Sequence, residues 1–428
     1  MANGQHEVHL NLNVRGLPVS ATLGINEESN RLIAEGKQVY KLGLGQSPFP
    51  VPEPIVRELQ NNAHQKDYLP VRGLPALCDA VAGYYRRTQD LLIAKENVLI
   101  GPGSKELMFI LQLVYYGDLV IPTPSWVSYA PQAHIVGRHV HWLETDEKNN
   151  WLLTAEELEH FCQADPSKPR IFILNYPNNP TGCSYPPDQL RSLAEVARKY
   201  KVILLSDEIY GELNFQGCHQ SIARYYPEGT IIASGLSKWA GAGGWRLGTF
   251  AFPEELKWLM DAMAVVASET FTATSAPIQY AAVKAFEGSV RLERYLFNSR
   301  KVLKALAEWI WKRLTAVGVT VAKPEGAFYM LADFEPLRGR LETRGIKHGE
   351  EFCQKLLTET GVAILPGSSF GRPKKELTAR LAFVDFDGAR ALAAAEQSSA
   401  EQPFDEKFLR IYCERVLIAI DKLCEWIS

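Results

Sequence analysis

Short, almost unbroken apolar runs punctuate the first two thirds of the chain: residues 97–101 (NVLIG), 170–175 (RIFILN), 201–206 (KVILLS) and 230–236 (TIIASGL). Longer stretches with helical spacing separate them, among them 104–116 and 187–200. A strand without polar alternation is buried on both faces, the habit of parallel sheets covered by helices. This part is therefore expected to be α/β. A helical pattern over 290–317 leads into a region where short strands (327–331, 362–365, 379–383) mix with helices, which reads as α+β. The Pro-rich stretch 47–54 (SPFPVPEP) predicts a rigid crossing. Residues 389–403 drift to small and polar types and read as a surface insertion before a last helix over 405–426. The expected division is an N-terminal arm and part of a small domain (1–47), a large domain (48–300) and a small C-terminal domain (301–428).

Composition narrows the class. The chain has 428 residues, 46% hydrophobic and 22% charged, with a formal net charge of −3. That balance fits a globular protein of a large domain plus a smaller one, and predicts neither nucleic acid nor a membrane as partner. Seven scattered cysteines form no CxxC pair, which points to reduced thiols in a cytoplasm rather than a disulfide framework or zinc ribbon. The start, MANGQHEVHLNLNVRG, lacks an apolar core of signal-peptide length. His139 and His141 have no third ligand nearby, so no metal is expected.

In open parallel sheets, ligands collect beyond the carboxyl ends of the strands. After RIFILN comes Tyr-Pro-Asn-Asn-Pro-Thr-Gly (176–182), and after KVILLS comes Asp207-Glu208-Ile209-Tyr210. After TIIASGL come Ser237, Lys238 and a Gly-rich stretch ending Gly244-Trp245-Arg246-Leu247-Gly248. After NVLIG come Pro102, Gly103, Ser104 and Lys105, directly before a helix. Each has a plain reading alone: a tight turn, a helix cap, a solvated lysine. Together those readings leave one ordered set of complementary groups unexplained.

The ordered set resembles the class I/II aminotransferases, the fold-type-I pyridoxal phosphate enzymes, and most closely their aspartate-aminotransferase-like members. The resemblance runs from about residue 39 to 383. It rests on Asn-x-Pro-x-Asn-Pro-Thr-Gly at 175–182, Ser-Asp-Glu-Ile-Tyr at 206–210, and Ser-x-x-x-Lys-x₇-Arg from 234 to 246. Further support comes from Tyr68-Leu-Pro-Val-Arg-Gly-Leu-Pro, Pro324-Glu-Gly-Ala-Phe-Tyr, Leu365-Pro-Gly-Ser-Ser-Phe-Gly and Ala379-Arg-Leu-Ala-Phe. The implied fold is a large domain with a mostly parallel sheet flanked by helices plus a smaller α+β domain.

The resemblance implies pyridoxal 5′-phosphate as cofactor and assigns roles residue by residue. Lys238 would hold the cofactor as a Schiff base and move the proton at the substrate α-carbon. Asp207 would keep the ring nitrogen protonated, with Tyr210 and Asn179 at the ring hydroxyl and Trp126 stacked on the ring. Gly103, Ser104, Lys105 and Arg246 would hold the phosphate at a helix start. Many relatives carry a phosphate-binding serine where this chain has Gly235, so Ser234 and Ser237 are the candidates to replace it. Tyr68, and with it Thr274 and Ser275, would reach the phosphate from a neighbouring subunit, which implies a homodimer. Arg380 would grip the substrate α-carboxylate, assisted by Asn179 and the backbone at Gly45.

The implied reaction is ping-pong transfer of an amino group from an L-amino acid to a 2-oxo acid. Lys105 resembles a lysine that reads a distal carboxylate in one subgroup, which favours aspartate or glutamate with 2-oxoglutarate; there Trp126 also lines the substrate. Alternatives on the same motifs are aminotransferases for alanine or aromatic amino acids and a carbon–sulfur lyase. A transcription regulator with an aminotransferase-like domain is disfavoured, because the resemblance begins too near the start of the chain for a preceding DNA-binding domain. An oligomerisation scaffold is disfavoured too, since it has no need of Asp207, Lys238, Arg246 and Arg380 together.

Overall fold

The structure, a computed structural model, describes residues 9–399 and 403–428. The first eight residues of the N-terminal arm, and residues 400–402 of the expected insertion, lie outside the described residues. Seven strands build the main sheet: β1 (Val98–Gly101), β2 (Asp118–Thr123), β3 (Val140–Glu144), β4 (Arg170–Asn175), β5 (Ile203–Asp207), β6 (Thr230–Gly235) and β7 (Gly248–Ala251). Their order is β1-β7-β6-β5-β4-β2-β3. All pairings are parallel except those of β7, which runs antiparallel to both β1 and β6.

Alternate residues of the central strands enter different cores. Ile171, Ile173, Ile203 and Leu205 join one cluster with the helices Ser104–Val114 and Lys257–Glu269, while Phe172, Leu174 and Leu204 join another with the helix Pro187–Lys199. Burial on both faces explains the unbroken apolar runs. The fold class expected from the runs is the fold observed.

A smaller antiparallel sheet is made of Thr320–Val321, Tyr329–Asp333, Leu365–Pro366 and Thr378–Ala382. The helix Val290–Ala316 leads from the main sheet's helices to it. A two-residue parallel pair joins Tyr40–Lys41 to Val362–Ala363, so the N-terminal segment is bound to this part. The expected strand over 362–365 is thus two short strands in different sheets. Residues 389–403 differ from expectation as well: Gly388–Glu396 is a helix burying Ala391, Leu392 and Ala395. The last helix is two, Glu406–Tyr412 and Glu414–Ile427. No helix among the described residues is long and apolar enough to cross a membrane.

Two glycines bring β7 against the start of the helix Ser104–Val114. Gly103, with φ of 95°, precedes that helix, and a Cβ there would meet the Arg246 guanidinium. A Cβ on Gly248 would fall 2.0 Å from the Ser104 backbone nitrogen. Gly248→Ala should therefore destabilise the fold by roughly 1–3 kcal/mol, as an overpacked core does, read from denaturant midpoints; a midpoint equal to that of the unaltered chain would refute this packing.

Candidate active site

Strand register brings the polar ends of the sheet together. Asn175 closes β4 beside Asp207, which closes β5, and Asp207 in turn pairs with Ala233 of β6. The Asn175 side chain then bends back: its Nδ2 donates to the Asp207 carbonyl at 2.8 Å and its Oδ1 accepts from the Asn179 backbone at 2.8 Å. The turn chemistry of Asn-x-Pro-x-Asn-Pro-Thr-Gly thus presents Asn179, itself 3% exposed.

These ends open into a cavity of about 450 Å³. From the sheet side it receives Ser104, Lys105, Trp126, Asn179, Asp207 and Tyr210, followed by Ser237, Lys238 and Arg246. The small sheet adds Arg380 and the N-terminal segment adds Gly45.

Five expected residues, Tyr68, Gly103, Ser234, Thr274 and Ser275, stand outside this lining. Tyr68 is 91% exposed. Gly103 sits behind Arg246 as described. Ser234 is buried in β6 near the Tyr85 phenol, so of the two serines offered in place of Gly235 only Ser237 reaches the cavity. Gly235 itself lies so close to Leu247 and Gly248 that a Cβ would sit 2.5 Å from the Leu247 carbonyl oxygen. Close strand approach therefore requires glycine where a side chain was sought. Thr274 is buried and Ser275 exposed, and neither lines the cavity.

Asp207 is 4% exposed. Its Oδ2 accepts from the Tyr129 hydroxyl at 2.5 Å, and its Oδ1 accepts from the Ile209 backbone N–H at 3.3 Å. Burial raises its carboxyl to about 6, although Tyr129, the Ile209 amide and Lys238 all pull the other way. The Lys238 amine donates to the Gly45 carbonyl at 2.8 Å. Burial and then the Arg380 charge lower it to about 8, with Asp207 opposing.

Arg380 is fully buried. It donates from Nη1 to Asn179 Oδ1 at 3.1 Å and from Nη2 to the Gly43 carbonyl, leaving Nε without a partner among the described residues. Lys105 lies 5.6 Å from the Trp126 ring centroid, and burial followed by Arg246 lowers its amine. Arg246 holds a left-handed backbone with φ of 56°, a conformation that costs about 1–2 kcal/mol. It donates to the Gly243 and Pro102 carbonyls at 2.8 and 3.2 Å. One cavity thus carries a carboxylate at depth, a weakened lysine, a buried guanidinium, and cations beside a helix start.

Sequence reasoning passed over Tyr129, Tyr329 and the pair Thr22 and Leu23, of which the last three line the cavity. Tyr129 follows Trp126 by three residues on the same chain turn, and Tyr329 ends the Pro-Glu-Gly-Ala-Phe-Tyr segment. Spacing to a recognised residue was the available signal for both. Thr22 and Leu23 open the helix Ala21–Ala34 and carried none.

Known proteins of the same architecture place these features in a family. The family model described as aminotransferase class I and II matches residues 37–387. An aspartate aminotransferase of a Bacillus species is 33% identical over 370 residues, 84% of this chain and 91% of its own length. One from Geobacillus stearothermophilus is 35% identical over 371 residues, with the same shares. Among solved structures, an aspartate aminotransferase from Thermus thermophilus with maleate superposes with a TM-score of 0.82 at 27% identity, covering 98% of this chain and all of that one.

The Asp207 shift carries a stability consequence for the protein without ligand. A raised folded value means that the folded chain binds more protons than the unfolded one between about 3.8 and 6. Stability is lost as pH rises through that window, and the penalty is complete above it. Two units correspond to about 3 kcal/mol. Asp207→Asn should therefore raise the melting temperature of ligand-free protein at pH 8 and lose that gain below pH 4. A variant that melts lower at both values would contradict this account of the buried carboxylate.

Proposed function

This chain belongs to the class I and II aminotransferases and is a transaminase, and we propose that it holds pyridoxal 5′-phosphate at Lys238 and takes a dicarboxylic L-amino acid, aspartate or glutamate, with 2-oxoglutarate as acceptor. The observation that carries this reading is the single cavity shared by Asp207, Lys238, Arg380 and Lys105. The residues present fit the cofactor on chemistry and space. Ser104 at a helix start, Ser237 and Arg246 suit a phosphate. The buried Asp207 suits a ring cation, which would hold its carboxyl ionised. Tyr210 and Asn179 offer hydrogen-bonding groups for a ring hydroxyl, and Trp126 offers an aromatic face. When bound, the cofactor supplies an electron sink for the bond broken at the substrate α-carbon.

The chain's own residues do the rest. Lys238, with its amine lowered to about 8, spends an appreciable fraction of time unprotonated near neutrality and can take a proton at Nζ. Tyr129 and the Ile209 amide fix the Asp207 carboxylate in orientation. Arg380 offers a planar fork to an α-carboxylate, and Asn179 and the Gly43 carbonyl hold that fork from two sides. Lys105 provides a second cation in the same cavity, which favours a substrate with a second carboxylate. The relatives named aspartate aminotransferases support that choice.

The reading includes a homodimer. Tyr68 is 91% exposed and outside its own cavity, and Trp258 and Val265 are exposed apolar groups, which suits a tyrosine offered to a neighbouring subunit's phosphate. It also includes the division at residues 48 and 301, on which the cavity takes Lys238 and Asp207 from the large domain and Arg380 and Gly45 from the smaller one. Seven free cysteines suit a reducing cytoplasm.

The test is the visible absorbance of the cofactor-loaded protein, before and after adding L-aspartate alone. Loss of the band of lysine-linked cofactor, reversed by 2-oxoglutarate, is the expected result. A band that ignores aspartate and glutamate defeats the substrate assignment, and no band in folded protein defeats the cofactor assignment. Arg380→Ala should lower kcat/KM at least 10- to 100-fold for every substrate alike, since hydrogen bonds to charged groups are lost; a loss confined to one amino acid would count against its role. Lys105→Ala should raise KM roughly tenfold for aspartate and glutamate while sparing alanine, and equal effects on all three would reduce Lys105 to a phosphate-side charge.

A further inference from the structure

We propose that Tyr329 is a positioning residue that links the two halves of this site, giving its hydroxyl proton to Tyr210 and its ring face to Arg380. The proposal rests on the reading above, in which Tyr210 faces the cofactor and Arg380 the substrate. Tyr329 opens one of the two inner strands of the small sheet, two residues after Ala327, whose backbone is left-handed with φ of 58°. That turn delivers the phenol into the cavity, where the residue is 1% exposed.

Its contacts reach both ends. The Tyr329 hydroxyl lies 2.8 Å from the Tyr210 hydroxyl, with the rings edge to face at 5.5 Å and 84°. The ring centroid lies 4.7 Å from Arg380 Cζ, and Phe370 covers the same guanidinium at 4.8 Å. Arg380 is thus placed by two aromatic rings as well as by the Asn179 and Gly43 oxygens.

Proton bookkeeping sets the direction of the Tyr329–Tyr210 bond. Each phenol has one proton, and only one of the two can occupy the gap between them. If Tyr210 donated to Tyr329, the acceptor nearest the Tyr329 proton among the described residues would be the Gly45 carbonyl, 3.5 Å away and already accepting from Lys238 at 2.8 Å. That is the outer limit of a hydrogen bond. If Tyr329 donates to Tyr210, the bond is made at 2.8 Å and the Tyr210 proton is free for an acceptor in the cavity. Burial raises both phenols, but the Arg380 charge and the shared bond oppose the rise at Tyr329 while that bond adds to it at Tyr210, which agrees with this direction. A phenol that accepts such a bond is a stronger donor in its own right. Tyr329 therefore sets how strongly Tyr210 donates, without touching the reacting atoms.

The experiment is a pH titration of the visible band of cofactor-loaded protein for the unaltered chain, Tyr329→Phe and Tyr210→Phe. It is paired with the dissociation constant of maleate, a dicarboxylate that cannot react. Asp207, Lys238 and Arg380, which face this pair, and Lys105 and Arg246 elsewhere in the cavity are intact in every variant. Tyr329→Phe keeps the ring over Arg380, so the fold is retained and maleate affinity should change less than about threefold. Its band midpoint should move by roughly 0.5–1 pH unit, in the direction Tyr210→Phe moves it and by less. Gly45→Ala supplies a second route, since a Cβ there would fall 1.9 Å from the Tyr329 hydroxyl; it should reproduce the shift. A Tyr329→Phe midpoint equal to that of the unaltered chain, while Tyr210→Phe shifts, overturns the inference and leaves the function standing. If Tyr210→Phe does not shift either, the role read for Tyr210 falls and takes the inference with it.

Discussion

The rest of the site depends on keeping a carboxylate and a guanidinium buried in one cavity with neutral partners only. Asp207 is held by a phenol and an amide, Arg380 by an amide oxygen and a carbonyl, and Lys238 by a carbonyl. Buried charges without opposite charges in contact are unfavourable, and the protein meets the penalty by shifting Asp207 up and Lys238 down. Such a cavity is complementary to a molecule carrying the missing charges: a cation at Asp207 and anions at Arg380 and beside the Ser104 helix start. Binding energy is already stored there as incomplete solvation, so the ligand that supplies those charges gains more than it would on an open surface.

Holding Asp207 still requires a second polar layer behind it. Glu208, 6% exposed, turns away from the cavity, where its Oε1 accepts from Ser206 at 2.7 Å and Ser221 at 2.6 Å. Its Oε2 meets His219 Nε2 at 2.9 Å, and the Tyr176 hydroxyl accepts from the Ile222 amide at 2.7 Å. Consecutive acidic residues at the end of β5 thus serve opposite sides: one faces the cavity and the other fastens the strand end to the following loop. His219 Nδ1 is left without a partner among the described residues, and the bonds that are made favour one geometry.

Much of this was legible in the sequence, and the limits have physical causes. The run 170–175 is a strand to the residue, because six consecutive buried positions leave one reading. The pattern over 290–317 became a helix ending at Ala316. Asp118–Thr123 was not anticipated, since Pro122 and a polar start break its apolar run, and the antiparallel course of β7 cannot be read from four residues of Gly-Thr-Phe-Ala. The strand over 362–365 divided because its halves pair with different partners, a tertiary choice invisible locally. In the site, charged residues were recognised because burying charge needs a reason. Tyr129 and Tyr329 were missed because a buried tyrosine has an ordinary reason, and only a hydroxyl partner across the fold distinguishes them.

The same logic explains why the small sheet belongs to the site at all. Nothing in the main sheet alone can satisfy Lys238, whose partner is Gly45, or the Tyr210 hydroxyl, whose partner is Tyr329. Conversely, Arg380 donates one of its hydrogen bonds to Asn179 Oδ1, at the end of the main sheet's β4 turn. Each part therefore leaves polar groups buried that only the other completes, and separating them would expose several at once to incomplete bonding. The Gly45 carbonyl sits at the junction, accepting from Lys238 with Tyr329 waiting at 3.5 Å. A lysine that leaves this carbonyl to do chemistry leaves behind a buried acceptor that Tyr329 can meet only by giving up its bond to Tyr210, since a phenol has one proton. The seam between the two parts is therefore coupled to the state of its central lysine.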